Sequence, residues 1–118
     1  MPFEKLLVWK KGIELVDVVY DLTACFPQTE LFGLHSQMRR AVVSIPANIA
    51  EGSQRSSQKE FAHFIQIAKG SLAELRTETY IARRRAMIST EQWNGFVVRA
   101  QELDKMLRSF FLSLIKKR

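Results

Sequence analysis

Cysteine is nearly absent: Cys25 is the single one in 118 residues. One thiol cannot close an internal disulfide, which suits a reducing compartment such as the cytoplasm. Glycine and proline are scarce, with five and three copies. So few chain-turning residues favour long elements joined by few connections. No charge-free run approaches the ~20 residues of a membrane span. The opening MPFEKLLVWKKG carries Glu4 early and lacks the apolar stretch of a signal peptide. No segment sustains the period-two alternation of a strand. There is no glycine loop of the phosphate-cradling kind and no zinc-spaced cysteine pair.

Catalytic side chains are equally thin. The chain has two histidines, His35 and His63. A pair made of Cys25 and His35 is conceivable, but Cys25 sits at a helix end beside Phe26 and Pro27, where a packed or idle thiol is the simpler reading. Glu60 and His63 have the Glu-x-x-His spacing of di-iron bundles. Such a site needs a second copy of the motif and two further inward glutamates, and Phe61 and Phe64 take the core-facing phase here. The expectation is a protein that is not an enzyme and uses no cofactor or metal.

Apolar residues are plentiful, at 47%, and recur at helical spacing in four segments. Val8/Trp9, Gly12/Ile13, Leu15/Val16, Val19/Tyr20, Leu22/Thr23 and Phe26 mark the first helix, which ends before Pro27. Leu34, Met38, Ala41/Val42, Ile45 and Ile49 mark the second, with Gly52 read as its stop. Ser57 with Glu60 opens the third in a capping-box pattern; it carries Phe61, Phe64/Ile65, Ala68, Leu72, Leu75, Thr79, Ala82 and Ala86. Ser89 with Gln92 repeats the pattern before Trp93, Phe96/Val97, Ala100, Leu103, Leu107, Phe110/Phe111 and Leu114. Short links make successive helices antiparallel neighbours. The expected fold is all-α, one up-down-up-down four-helix bundle over residues 1–118.

Pro46 falls inside the second helix, where a proline costs about 3 kcal/mol. It either starts a new helix after Ser44 or sits in a continuous, kinked one. The spacing Val42, Ile45, Ile49 crosses it without a phase break, which favours the kink and frees the Val42 carbonyl for another donor. Mid-helix Gly70, next to Ser71, leaves a flat patch open to a second backbone of the same bundle or of a neighbouring subunit.

Eighteen Lys and Arg outweigh twelve Asp and Glu, for a net charge of +6. This favours a polyanionic partner: RNA, DNA or an acidic protein. Lys69, Arg76 and Arg83 stand seven apart on the third helix, a stripe about 20 Å long expected along its outer face. Tyr80 lies near it and is free to stack on a base. Arg84 and Arg85 extend the charge at one end, Arg55 and Lys59 at the other. The stripe is either a phosphate-binding track or an ordinary solvated face; Glu74 and Glu78 lie on other faces. Lys116, Lys117 and Arg118 suit the negative end of a helix dipole. Ile67, Ile81 and Ile88 lie beside the core stripe, and the first helix is apolar over more than half its circumference. Both point to an interface between subunits.

The stretch QMRRAVVSIPANIAEGSQRSSQKEF, with FIQIAKGSLAEL after it, resembles the signature of the four-helix-bundle proteins encoded in intervening sequences of 23S ribosomal RNA genes. It is also similar to the related accessory proteins of diversity-generating retroelements. Its most specific parts are Arg40-Ala41, the run Ser44 to Gly52, and Gly70-Ser71-Leu72; the fourth helix matches only in apolar pattern. The resemblance implies a bacterial, cytoplasmic, antiparallel bundle that forms a ring-like homopentamer. For the accessory proteins it implies contact with nucleic acid and a polymerase through basic surface. Asn48, Glu51, Ser71 and Glu74 then form either a site or, the favoured reading, an inter-helix hydrogen-bond network. The expected function is non-enzymatic binding of RNA or DNA with low sequence specificity, through Lys69, Arg76, Arg83, Arg84, Arg55, Lys59 and Tyr80, without a cofactor, as an accessory to a nucleic-acid enzyme. The competing expectation is a scaffold that docks an acidic protein.

Overall fold

The computed structural model describes residues 2–31 and 33–116. Four helices carry the chain: α1 (Leu7–Thr23), α2 (Leu34–Ser53), α3 (Gln58–Arg84) and α4 (Thr90–Ile115). Short 3₁₀ turns at Phe3–Lys5 and Gln28–Glu30 precede α1 and α2. No strand occurs among the described residues. Consecutive helices pack together and α4 closes against α1, which gives the expected all-α four-helix bundle. Its extents are 48 × 24 × 20 Å. The core is one cluster built from the predicted stripes, including Leu15, Val19, Met38, Ile45, Ile49, Ile65, Leu72, Leu75, Phe96, Leu103 and Leu107. Each such side chain contributes about 1.5–3 kcal/mol on burial.

The helix starts follow the sequence. The Ser57 hydroxyl accepts from the Glu60 N–H. Ser89 and Gln92 form a full reciprocal capping box. The C-terminus of α1 is closed by a device the sequence did not announce. Arg39 of α2 donates to the Thr23 hydroxyl at 2.8 Å and to the Tyr20 carbonyl at 3.2 Å. Its guanidinium lies 4.1 Å from the Tyr20 ring centroid. A cation thus meets the negative end of the α1 dipole.

Helix α2 runs through Pro46 without a break. No described side-chain hydrogen bond ends on the Val42 carbonyl; Asn48 Nδ2 instead donates to the Ser44 carbonyl (2.8 Å) and hydroxyl (2.9 Å). What Pro46 gains is contact. It is buried against Gly12 of α1, where an added Cβ would stand 3.4 Å from the proline Cβ and Cδ. A methyl group at Gly12 would just touch the ring at ordinary van der Waals distance, so the two helices approach closely here.

Three expectations need correction. Gly52 is not a helix stop: it lies inside α2, and no glycine has positive φ. Its role is steric, because a Cβ there would fall 2.6 Å from the Phe64 Cβ and 2.9 Å from the Phe61 Cδ1. Ala86 does not extend the α3 stripe. It is exposed, with φ 59°, in the left-handed position of a Schellman ending: Ala86 N–H donates to the Arg83 carbonyl and Met87 N–H to the Ala82 carbonyl. Ile88, expected at an interface, is only 4% exposed and belongs to the core, because the chain has left the α3 phase at this turn. Gly70 is exposed with nothing within 4 Å of an added Cβ, so no backbone of its own bundle approaches it.

Three substitutions should therefore separate in thermal unfolding. Gly52→Ala should lose about 1–3 kcal/mol by overpacking, despite its gain in helix propensity. Gly70→Ala should gain about 0.5–1 kcal/mol, and Ala86→Gly about 1 kcal/mol by relieving the left-handed backbone. A rise in midpoint for Gly52→Ala would contradict the close packing of α2 on α3.

Candidate nucleic-acid interface

The rotation of α3 about its axis decides where the basic stripe points. Ala68, Leu72, Leu75 and Ala82 face the core. Lys69, Arg76 and Arg83 then lie half-buried on the flank beside α4, not along the outer face. Arg76 Nη1 stands 4.0 Å from Asp104 Oδ2 of α4. Arg83 donates to the Thr90 hydroxyl at 2.7 Å and to the Ile88 carbonyl at 3.5 Å, so it ties the α3–α4 turn. Tyr80 is 50% exposed and its ring centroid lies 6.0 Å from that of Trp93 on α4.

Two cavities follow the α3–α4 groove. One, of about 390 Å³, is lined by Arg76, Thr77, Tyr80, Trp93, Phe96, Val97 and Gln101. Trp93 stacks on Phe96 at 6.2 Å with 27° between the planes, which holds its ring in place. The other, of about 510 Å³, is lined by Arg76, Gln101, Asp104, Lys105 and Arg108. Arg76 and Gln101 belong to both, so the groove is continuous: aromatic at one end, cationic at the other. Three cations meet a single carboxylate in the second cavity. The Arg76–Asp104 pair is part-exposed and contributes about 0–1 kcal/mol, so an incoming anion can compete for the guanidinium.

The remaining predicted residues are dispersed. Lys69 lies two turns before Arg76 and, since α3 and α4 run antiparallel, toward the Arg108 end of the groove. Arg84 and Arg85 are exposed at the opposite end of α3, and Lys59 is exposed in its first turn. Arg55 is occupied locally, 2.7 Å from Glu51 and 4.7 Å from the Phe64 ring centroid. Of the C-terminal basic trio, Lys117 and Arg118 lie outside the described residues. The α1–α4 side differs in character: Lys11 and Arg99 pair with Glu14, and Lys11 also with Glu102.

Sequence reasoning singled out Arg76 and Tyr80 but expected them on the outer face of α3 rather than in a groove against α4, and it missed Trp93, Lys105 and Arg108. Trp93 was assigned to the core stripe of α4 and is only half-buried. Lys105 and Arg108 stand three apart, a one-face spacing that would have marked them once the fourth helix was scanned for charge as the third was.

Of the four motif residues, Asn48 and Ser71 do form an inter-helix network. The Ser44 and Ser71 hydroxyls are 2.9 Å apart, and Asn48 joins them through Ser44. Glu51 is exposed and pairs with Arg55, and Glu74 is exposed. Glu78 is not a surface charge at all: it is buried in the groove between α2 and α3.

Among described residues, no group of three or more His, Cys, Asp or Glu side chains is arranged to hold a metal ion, and no helix is long and apolar enough to cross a membrane. No curated protein matches the chain significantly. A crystal structure of a protein with unknown function from the S23 ribosomal protein family, from Bacteroides thetaiotaomicron, is similar over 94% of this chain and 100% of that one, with 26% identity and a TM-score of 0.81. The 23S rRNA-intervening sequence protein family matches residues 4–109. With nearly the whole bundle covered, the chain belongs to the family of 23S rRNA-intervening sequence proteins.

Proposed function

We propose that the protein is a non-enzymatic, basic helical bundle that binds RNA or DNA with low sequence specificity, in the cytoplasm, as an accessory to a nucleic-acid enzyme such as a polymerase. The observation that carries this reading is the continuous α3–α4 groove, where Arg76, Lys105 and Arg108 line one cavity and Tyr80 and Trp93 the next. Cations neutralise phosphates and displace condensed counterions. Half-exposed aromatic rings offer a sequence-tolerant surface for an unpaired base. Lys69 and Arg84 prolong the track at either end; Lys59 adds more distant charge. Arg83 and Arg55 are committed to structural contacts and contribute less than the stripe alone suggests.

The bundle is proposed to act as a homo-oligomer, in the ring-like pentamer that the resemblance implies. Ile67 and Ile81 are 38% and 41% exposed on α3, and Leu7, Ile13 and Tyr20 are exposed on α1. Those surfaces are apolar and available to a second subunit, and Gly70 leaves room for a close backbone. Fivefold repetition of the chain would give a formal charge of roughly +30 and multiply weak contacts. A second reading, an acidic protein docked in the same groove, is favoured by Asp104, whose carboxylate already sits opposite Arg76.

Fluorescence anisotropy with a structured RNA and with a DNA duplex, across a salt series, tests the leading reading. Binding should weaken linearly in log K against log salt, and each of Arg76→Ala, Lys105→Ala and Arg108→Ala should lower that slope by about 1. Trp93→Leu should weaken single-stranded ligands by about 1–3 kcal/mol and spare duplex. Arg83→Gln should lower the unfolding midpoint and leave the slope nearly unchanged. Weak binding to both ligands at low salt would overturn the proposal and leave the acidic-protein reading.

Ile67→Glu with Ile81→Glu should shift the assembly toward monomer in sedimentation while the unfolding of the monomer stays cooperative. An unchanged mass would remove these residues from any interface.

A further inference from the structure

On the flank of α3 opposite the basic groove, a third cavity, of about 320 Å³, opens between α2 and α3. It is lined by Gln37, Arg40, Ala41 and Ser44 of α2 and by Glu74 and Glu78 of α3. We propose that this pocket binds a guanidinium or primary ammonium group, held between the carboxylates of Glu74 and Glu78.

Glu78 is 7% exposed, and its Oε1 is buried with no hydrogen-bond partner among the described residues. Buried carboxylate oxygens are ordinarily paired, and an orphan costs the full desolvation of the atom. The polar neighbours do not relieve it. The Ser44 hydroxyl is engaged with Ser71 and Asn48. Arg40 is exposed and makes no ion pair within 4.0 Å among the described residues, so the pocket's own cation is not in direct contact with either acid. Gln37 is neutral. Glu74 stands one helical turn before Glu78 and repels it. Burial first, and the Glu74 charge second, push the Glu78 carboxyl from 4.5 up to about 7.

With both acids ionised the lining carries one excess negative charge, and a monocation completes it. Such a group donates several N–H bonds to acceptor-only oxygens. The volume lies at the small end of small-molecule sites and fits a guanidinium or alkylammonium head. Two sources supply that chemistry: a free organic cation, or an arginine or lysine side chain from another copy of this chain. The proposal does not depend on nucleic-acid binding, because its residues lie on the other flank of α3.

The test uses the full chain labelled with carbon-13 at the glutamate carboxyls, titrated with methylguanidinium chloride against sodium chloride at equal ionic strength. The Glu78 midpoint should fall as methylguanidinium saturates. Affinity should rise about tenfold from pH 6 to pH 8, as the ionised fraction of a carboxyl titrating near 7 goes from roughly one-tenth to nine-tenths. Glu78→Gln keeps the shape and should lose both the pH dependence and most of the affinity. Its stability should also change with pH in a defined sense. A carboxyl raised in the folded state destabilises as pH climbs from the unfolded value through about 7, so Glu78→Gln should unfold later than the parent at pH 8 and flatten the decline. Binding with no change in sedimenting mass assigns a free cation. Self-association that Glu78→Gln weakens and methylguanidinium reverses assigns a side chain of a second copy. A Glu78 midpoint unmoved by methylguanidinium, or equal affinity in Glu78→Gln, would overturn the proposal.

Discussion

Everything that distinguishes one side of this bundle from the other depends on how α3 is rotated about its own axis. Two contacts with α2 fix that rotation. Gly52 lies beneath Phe61 and Phe64 at distances that exclude even a methyl group, and the Ser44 and Ser71 hydroxyls meet across the same interface at 2.9 Å. Helix α2 is held in turn by α1, where Pro46 packs on Gly12 and Arg39 closes the helix end. A helix packed so closely on one side cannot turn by even one residue, about 100°, without breaking core contacts.

That single constraint sorts the polar residues of α3. One flank carries Arg76 and Tyr80 to α4, where they join Trp93, Lys105 and Arg108. The other carries Ser71, Glu74 and Glu78 to α2. Charges that alternate along the sequence thus become segregated in space, with a basic, aromatic groove on one side and an acidic pocket on the other. The α1–α4 side, by contrast, pairs its charges across the helices. Proline in α2, costly in isolation, belongs to the same arrangement: it is buried and packs against Gly12 of α1.

The helices, their order and most of the core were legible because apolar residues recur at helical period and the capping residues at Ser57 and Ser89 are explicit. The continuity of α2 through Pro46 was legible for the same reason. Glycine was misread at Gly52, because a sequence does not reveal whether a glycine serves backbone conformation or close packing. Ala86 was misread because a left-handed ending normally takes glycine, and here alanine occupies it. The α3 stripe was legible as a stripe but not as a groove. Seven-residue spacing places Lys69, Arg76 and Arg83 on one face, whereas which face meets α4 depends on packing. Glu78 looked like surface charge for the same reason, since its burial comes from α2 and not from its own helix.

The central claim is that nucleic acid lies in the α3–α4 groove. The most direct measurement is an NMR footprint of the full chain on a short single-stranded RNA at low salt, read at the Trp93 indole N–H, the Tyr80 ring and the side chains of Arg76, Lys105 and Arg108. The account predicts that these signals shift together and return together as salt is raised, with the α1 face unmoved. Shifts centred on α1, or no shift in the groove under conditions where the RNA is bound, would contradict it.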